Sequence, residues 1–141
     1  YVLQKKLQNI MWIHCGVIKS ERDLNIGLAQ LRQIKSLMNA KNLNTKTKSI
    51  QNLIDTFNLE ASLHSAEATI LSSIERKESR GAHQRSDYDK INDSFKFNIL
   101  VKIINNNLVC YKRKLKKSKS ITGNIQDKYI KPQDIKKRLL E

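Results

Sequence analysis

The chain has 141 residues, 39% of them apolar and 28% charged. That is enough material for one hydrophobic core, and no run of ~20 apolar residues suggests a transmembrane helix. Twenty-seven basic residues against thirteen acidic ones give a net charge of +14, which admits a nucleic acid or an anionic surface as partner. The same balance follows from a lysine-, asparagine- and isoleucine-rich composition of the kind that A/T-biased coding produces. Cys15 and Cys110 are too few and too far apart for a disulfide framework, so reduced thiols in a cytosolic-type compartment are expected. The first residues have no signal-peptide layout.

The first element spans Val2 to about His14. Leu3, Leu7, Ile10, Met11 and His14 recur at helical spacing, while Lys5, Lys6 and Asn9 face outward. Trp12 lies off this narrow stripe: it either fills an interdomain contact or widens the buried face. Gly16 supplies a left-handed helix stop. Ser20 followed by Asp23 forms a capping-box pattern that opens a second helix, expected to run to about Ala40. Leu24, Leu28, Leu31, Ile34 and Met38 make its apolar side. Residues 41–48, rich in Asn, Lys and Thr, read as a solvated loop.

The third helix is expected from about Ser49 to Ser79, roughly 45 Å at 1.5 Å per residue. It carries two apolar rows, Ile50, Leu53, Ile54, Phe57, Ala61 and Leu71, then Leu59, Leu63, Ala66, Ile70 and Ile74. Two rows imply burial against both earlier helices. Gly81 is the expected helix stop, with Arg76, Lys77 and Arg80 in the last turn at the negative end of the dipole.

Beyond Tyr88, Phe95 to Ile103 is rich in strand formers, Asn105 to Asn107 makes a turn, and Leu108 to Tyr111 returns as a second strand. Lys112 to Lys119 holds six basic residues in eight and reads as a solvated connection, without the interleaved aromatics of a nucleic-acid surface. Gln133 to Leu140 suggests a short helix after Pro132. The net charge is +5 over residues 1–81 and +9 over residues 82–141, so a boundary is placed at Gly81. The expected fold is mainly α: a spectrin-repeat-like antiparallel three-helix bundle over 1–81. A signature segment, a small β-hairpin and a basic tail follow over 82–141.

His14, His64 and His83 lie in separate segments, none with a second His or Cys at ligand spacing, so no metal site is expected. Glu60 and Glu67 flank His64 at helix-pairing distances. Glu78, Arg80, His83, Arg85 and Asp87 form a dense polar string. Such a set either caps the helix or clamps a neighbouring domain through charge-assisted hydrogen bonds.

Glu78 to Tyr88 resembles the Glu-Ser-Arg-Gly-Ala-His-x-Arg-x-Asp-[Tyr/Phe] signature of one flavoprotein family. It comprises the flavoprotein subunits of succinate dehydrogenase and fumarate reductase, together with L-aspartate oxidase. Leu7 to Ile18, with Met11-Trp12 and Gly16-Val17-Ile18, is similar to the same family's first C-terminal helix and the turn after it. The resemblance implies a C-terminal three-helix domain whose parent enzyme uses FAD to interconvert succinate and fumarate. The flavin fold and the dicarboxylate-handling side chains would lie N-terminal to this chain, which starts at Tyr1 and contains no Gly-x-Gly-x-x-Gly. It therefore reads as an excised C-terminal piece, with no catalytic, cofactor-binding or metal-binding residues of its own.

The partners so implied are the flavin-binding and capping domains of the parent and an iron–sulfur subunit. The location implied is cytoplasmic, membrane-associated only through partner subunits and without direct insertion. In that setting Glu78, Arg80, His83, Arg85 and Asp87 are candidate interdomain docking residues. The hairpin favours the dehydrogenase and reductase members over L-aspartate oxidase, many of which stop sooner. A free-standing basic helical module that binds nucleic acid is the alternative from another class.

Overall fold

The computed structural model describes residues 2–40 and 50–115, without the side chains of residues 40 and 51–53. The expected loop at 41–48, the basic tail beyond Leu115 and the helix at 133–140 lie outside the described residues. Three helices account for most of the fold: α1 (Val2–His14), α2 (Glu21–Ala40) and α3 (Ile50–Glu75). Two short strands, β1 (Ile18–Lys19) and β2 (Gln84–Arg85), pair in parallel, and β3 (Phe97–Ile104) pairs antiparallel with β4 (Asn107–Lys114). The architecture is mainly α with a small antiparallel sheet, and the parallel pair was not expected from the sequence.

The helices share one core. Leu7 and Ile10 enter it from α1, Leu24, Leu28, Leu31, Ile34 and Met38 from α2, and Leu59, Leu63, Ala66 and Ile70 from α3. Ile34 and Ile70 have no exposed surface, and each such side chain contributes about 2 kcal/mol through burial. Gly27 sets the closeness of the packing. A Cβ there would lie 2.8 Å from the Cβ of His14 and 3.2 Å from Cδ1 of Ile70, so α1 and α3 both approach the backbone of α2.

Two separate partners satisfy the start of α2. The Ser20 Oγ accepts from the Asp23 amide at 3.1 Å and donates to the Asp23 carboxylate at 2.6 Å. The carboxylate thus meets the Ser20 hydroxyl, and the Glu21 amide donates to Asp87, 66 residues away, at 2.8 Å. A donor left free by the helix start is satisfied from the far end of the fold.

Three helical expectations change. Gly16 has no left-handed backbone; its role is clearance, since a Cβ would sit 2.8 Å from the Trp12 carbonyl oxygen. Trp12 is 81% exposed, so it does not widen the buried face of α1. On α3 the second row supplies the buried Leu59, Leu63, Ala66 and Ile70, with Ile74 half-buried. Of the first row Leu71 also packs against the core, whereas Ile50 is 80% and Phe57 62% exposed, and Ile54 and Ala61 are also exposed. α1 is about 20 Å long against about 39 Å for α3. Its first turn meets α3 where Gln4 donates to Ser62 at 3.4 Å and lies beside Asp55, Asn58 and Leu59, while Ile50, Ile54 and Phe57 face away from the shared core.

α3 also ends at Glu75, four residues before its expected end at Ser79. Its last helical bond runs from the Arg76 amide to Ser72 at 3.2 Å. Gly81 is left-handed, with φ +57°, but it belongs to a tight turn in which Arg80 and His83 exchange backbone bonds. The cations at 76, 77 and 80 therefore lie beyond the helix.

The hairpin forms where the sequence places it. Asn105 and Asn106 take φ 49° and 62°, the positive angles a two-residue primed turn requires, and Ile104 pairs with Asn107. Phe95 falls in a 3-10 turn before the strand, and β4 runs on to Lys114. Lys112, read as part of a solvated run, lies 5.2 Å from the Phe97 ring and 5.9 Å from that of Phe95. Its charge gains from the ring faces, which lets a basic residue continue the strand.

Candidate functional site

The segment after α3 folds back on itself around two buried ions. Glu78 has no exposed side-chain surface. Its Oε1 accepts from Arg76 Nη1 at 2.6 Å and Arg80 Nε at 3.0 Å. Its Oε2 accepts from Arg80 Nη2 and from the Asn92 amide, each at 3.0 Å. Four donors balance the loss of water that burial imposes on the carboxylate. The Arg80 hydrogen bonds, then those from Asn92 and Arg76, outweigh desolvation and hold its pKa at about 2.

Arg85 is the second buried ion, also without side-chain exposure. It grips Asp87 in a bidentate pair, Nε to Oδ1 and Nη2 to Oδ2, both 2.7 Å. Its third donor, Nη1, reaches the Ser73 carbonyl at 2.7 Å, and the guanidinium lies 5.0 Å from the Tyr88 ring centroid. The planar fork fits this geometry as a lysine could not. Hydrogen bonding from Arg85 lowers the Asp87 pKa to about 2, helped by the Glu21 amide.

The network ties four elements together. Arg76 donates to the carbonyls of Phe95 at 3.2 Å and Phe97 at 2.8 Å, fastening the hairpin to the end of α3. Asp87 caps α2 through the Glu21 amide, and the Ser86 amide donates to the Lys19 carbonyl of β1 at 2.9 Å. Ser79 is buried; its hydroxyl donates to the Tyr88 carbonyl at 2.8 Å and accepts from the Arg85 amide at 2.8 Å. His83 Nε2 lies 3.1 Å from the Arg76 carbonyl, which only accepts, so that nitrogen carries the proton. Desolvation, with Lys19, Arg85 and Arg76 nearby, lowers the His83 pKa despite this bond.

All five sequence candidates therefore belong to one constellation. Glu78 and Arg85 lie inside it, while Arg80, His83 and Asp87 lie towards its margin. Arg76, Ser79, Glu21 and Asn92 complete it and were not singled out. Ser79 stood inside the signature, and Arg76 carried a misleading signal because it looked like a last-turn cation. The other sequence candidates stay apart. His64 lies beside Lys35, Met38, Glu60 and Leu63, while Glu67 pairs with Arg32 at 3.5 Å and Lys35 at 3.9 Å. Both cysteines are free thiols.

The arginines that would suit a dinucleotide's phosphates, Arg76, Arg80 and Arg85, are committed to carboxylates and main-chain carbonyls. The constellation does not fit FAD as a ligand. Among the described residues no three His, Cys, Asp or Glu side chains converge on a metal-binding point, and no helix is long and apolar enough to cross a membrane.

The chain is thus a three-helix body followed by a charge-packed return segment and a hairpin that Arg76 fastens to α3, and known proteins share its fold. The family model described as "Fumarate reductase flavoprotein C-term" matches residues 4–136. The chain belongs to that family. A succinate dehydrogenase flavoprotein subunit from Rickettsia bellii is 34% identical over 94 residues, covering 64% of this chain and 15% of the relative. An L-aspartate oxidase from Pyrococcus furiosus is 30% identical over 91 residues, with coverage of 64% and 15%. In fold, the chain is similar to a mutant E. coli quinol fumarate reductase chain. The TM-score is 0.75 at 23% identity, over 84% of this chain and 21% of that one. The chain thus spans about a seventh of the length of these curated relatives.

Proposed function

We propose that this chain is the C-terminal helical domain of a succinate dehydrogenase or fumarate reductase flavoprotein subunit. In this reading the parent holds FAD in the part of the polypeptide N-terminal to residue 1. It oxidises succinate to fumarate or runs the reverse, and passes electrons through an iron–sulfur subunit. Residues 1–81 act as an antiparallel bundle. Residues 82–141 add the signature segment, the hairpin and the basic tail. Association with a membrane, where it occurs, runs through partner subunits.

The domain's part is structural. Glu78, Arg80, His83, Arg85 and Asp87 form the element that docks onto the flavin-binding and capping domains. Glu78 and Arg85 hold its shape from within, and Arg80, His83 and Asp87 offer polar groups at its edge. The observation that carries this reading is the constellation around Glu78 and Arg85, built on the family's signature residues. One buried carboxylate and one buried guanidinium lock a turn that joins α2, α3, β1 and the hairpin. Such preorganisation suits a rigid docking surface.

The test is an anaerobic flavin spectrum of the full-length gene product, before and after addition of succinate and then of L-aspartate. Bleaching by succinate alone is expected. Bleaching by aspartate would assign the protein to the L-aspartate oxidases, and a product without flavin would refute the reading.

A further inference from the structure

Nine consecutive positions, Ile10 to Ile18, carry no Asp, Glu, Lys or Arg in a chain that is 28% charged. Ile10 is buried in the core, but Trp12, Ile13, Val17 and Ile18 are 81%, 67%, 75% and 72% exposed. A tryptophan and three aliphatic side chains within seven positions are too much apolar surface to leave in water without a purpose. Tryptophan is also the residue most enriched at the energetic centres of interfaces.

The segment is held as well as exposed. Ile18 pairs with Gln84 and Lys19 with Arg85 in the parallel β1–β2 ladder. The Ser86 amide and hydroxyl both donate to the Lys19 carbonyl, at 2.9 and 3.3 Å. The rear of the segment is thereby fastened to the strand that carries the buried Arg85. Parallel strands are normally covered on both faces, whereas Ile18 opens to solvent here. Rigidity of this kind lowers the entropy lost when an apolar surface is covered.

We infer that Trp12, Ile13, Val17 and Ile18 form the apolar contact onto the flavin-binding part of the same polypeptide. The constellation around Glu78 and Arg85 acts behind it as the positioning frame. This rests on the proposed function and names the surface through which it works. The charge pattern selects the occupant: a polyanion or an anionic surface would call for cations among these positions, and there are none. The size of the occupant agrees, because the chain spans only 15% of its Rickettsia bellii relative and 21% of the E. coli chain. Most of such a protein is therefore available to supply the covering surface.

The test uses the full-length gene product with p-benzoylphenylalanine in place of Val17, irradiated and mapped by peptide mass spectrometry. An intramolecular cross-link to a peptide N-terminal to residue 1 is expected. In the unsubstituted protein, hydroxyl-radical oxidation of Trp12 should be slower than in the unfolded protein, because a side chain in an interface core is shielded from water. A cross-link to residues 116–141, a cross-link between two copies, or no cross-link with Trp12 fully reactive would each overturn the inference. Flavin content of the same preparation separates the two readings. Flavin without the cross-link removes this surface, and the cross-link without flavin removes the flavoprotein assignment while the surface stands.

Discussion

Replacing Glu78 by glutamine keeps the shape of the side chain and removes the charge that two arginines share. The glutamine retains one acceptor oxygen. Its amide nitrogen faces a donor, because Arg76 and Arg80 converge on Oε1 while Arg80 and the Asn92 amide converge on Oε2. Breaking a buried pair in this way costs about 3–5 kcal/mol. Arg80 keeps 38% of its side-chain surface in water, so its charge stays partly hydrated and the lower end, about 3 kcal/mol, is expected.

The pH dependence has a definite sign. The Glu78 pKa is about 2 in the folded chain and about 4.3 in an unfolded one. Its contribution is whole above the unfolded value and is lost as the pH falls through the folded one, with about half remaining near pH 3. Urea unfolding followed by far-UV circular dichroism should therefore show the wild-type and Glu78→Gln midpoints far apart at pH 7 and converging between pH 4.5 and 2. The low Asp87 pKa is common to both proteins and cancels in the difference. A gap below about 0.5 kcal/mol at pH 7, the size of an ordinary surface substitution, would refute the reasoning, as would a gap of constant size down to pH 2.

Two backbone positions give further tests in thermal melts. Alanine in place of a mid-helix glycine normally stabilises by about 1 kcal/mol, but Gly27→Ala should destabilise, because its Cβ would meet His14 and Ile70 at 2.8 and 3.2 Å. Gly81→Ala meets nothing within 4 Å and should cost only the left-handed strain, about 1 kcal/mol, with Gly81→Asn costing less. Ser20→Ala removes the bond to the Asp23 amide and should lower stability by about 1 kcal/mol; an unchanged melting temperature would mean that Asp87, bonded to the Glu21 amide, carries the helix start alone.

Local signals settled a good part of this protein before any tertiary contact was known. The start of α2 follows from Ser20 and Asp23, whose partners lie within one turn. The hairpin turn follows from Asn105 and Asn106, which tolerate positive φ. The buried side of α2 follows from its periodicity, and the family from the contiguous residues Glu78 to Tyr88. Such features need only neighbours in sequence.

Tertiary structure decided what covers each face and which charges meet. Periodicity puts Ile50, Ile54 and Phe57 on one row of α3, but it does not say that these three stay exposed while Leu59, Leu63, Ala66 and Ile70 enter the core. It groups Trp12 with a helix that buries other residues. It also cannot foresee that Asp87 caps a helix 66 residues away, or that β1 finds its parallel partner at residues 84–85. Arg76 looked like a last-turn cation because dipole pairing is local, yet the carbonyls of Phe95 and Phe97 claim it. Burial of Glu78 and Arg85 is a property of the assembled fold, since a charge leaves water only where several donors or acceptors already converge to replace it.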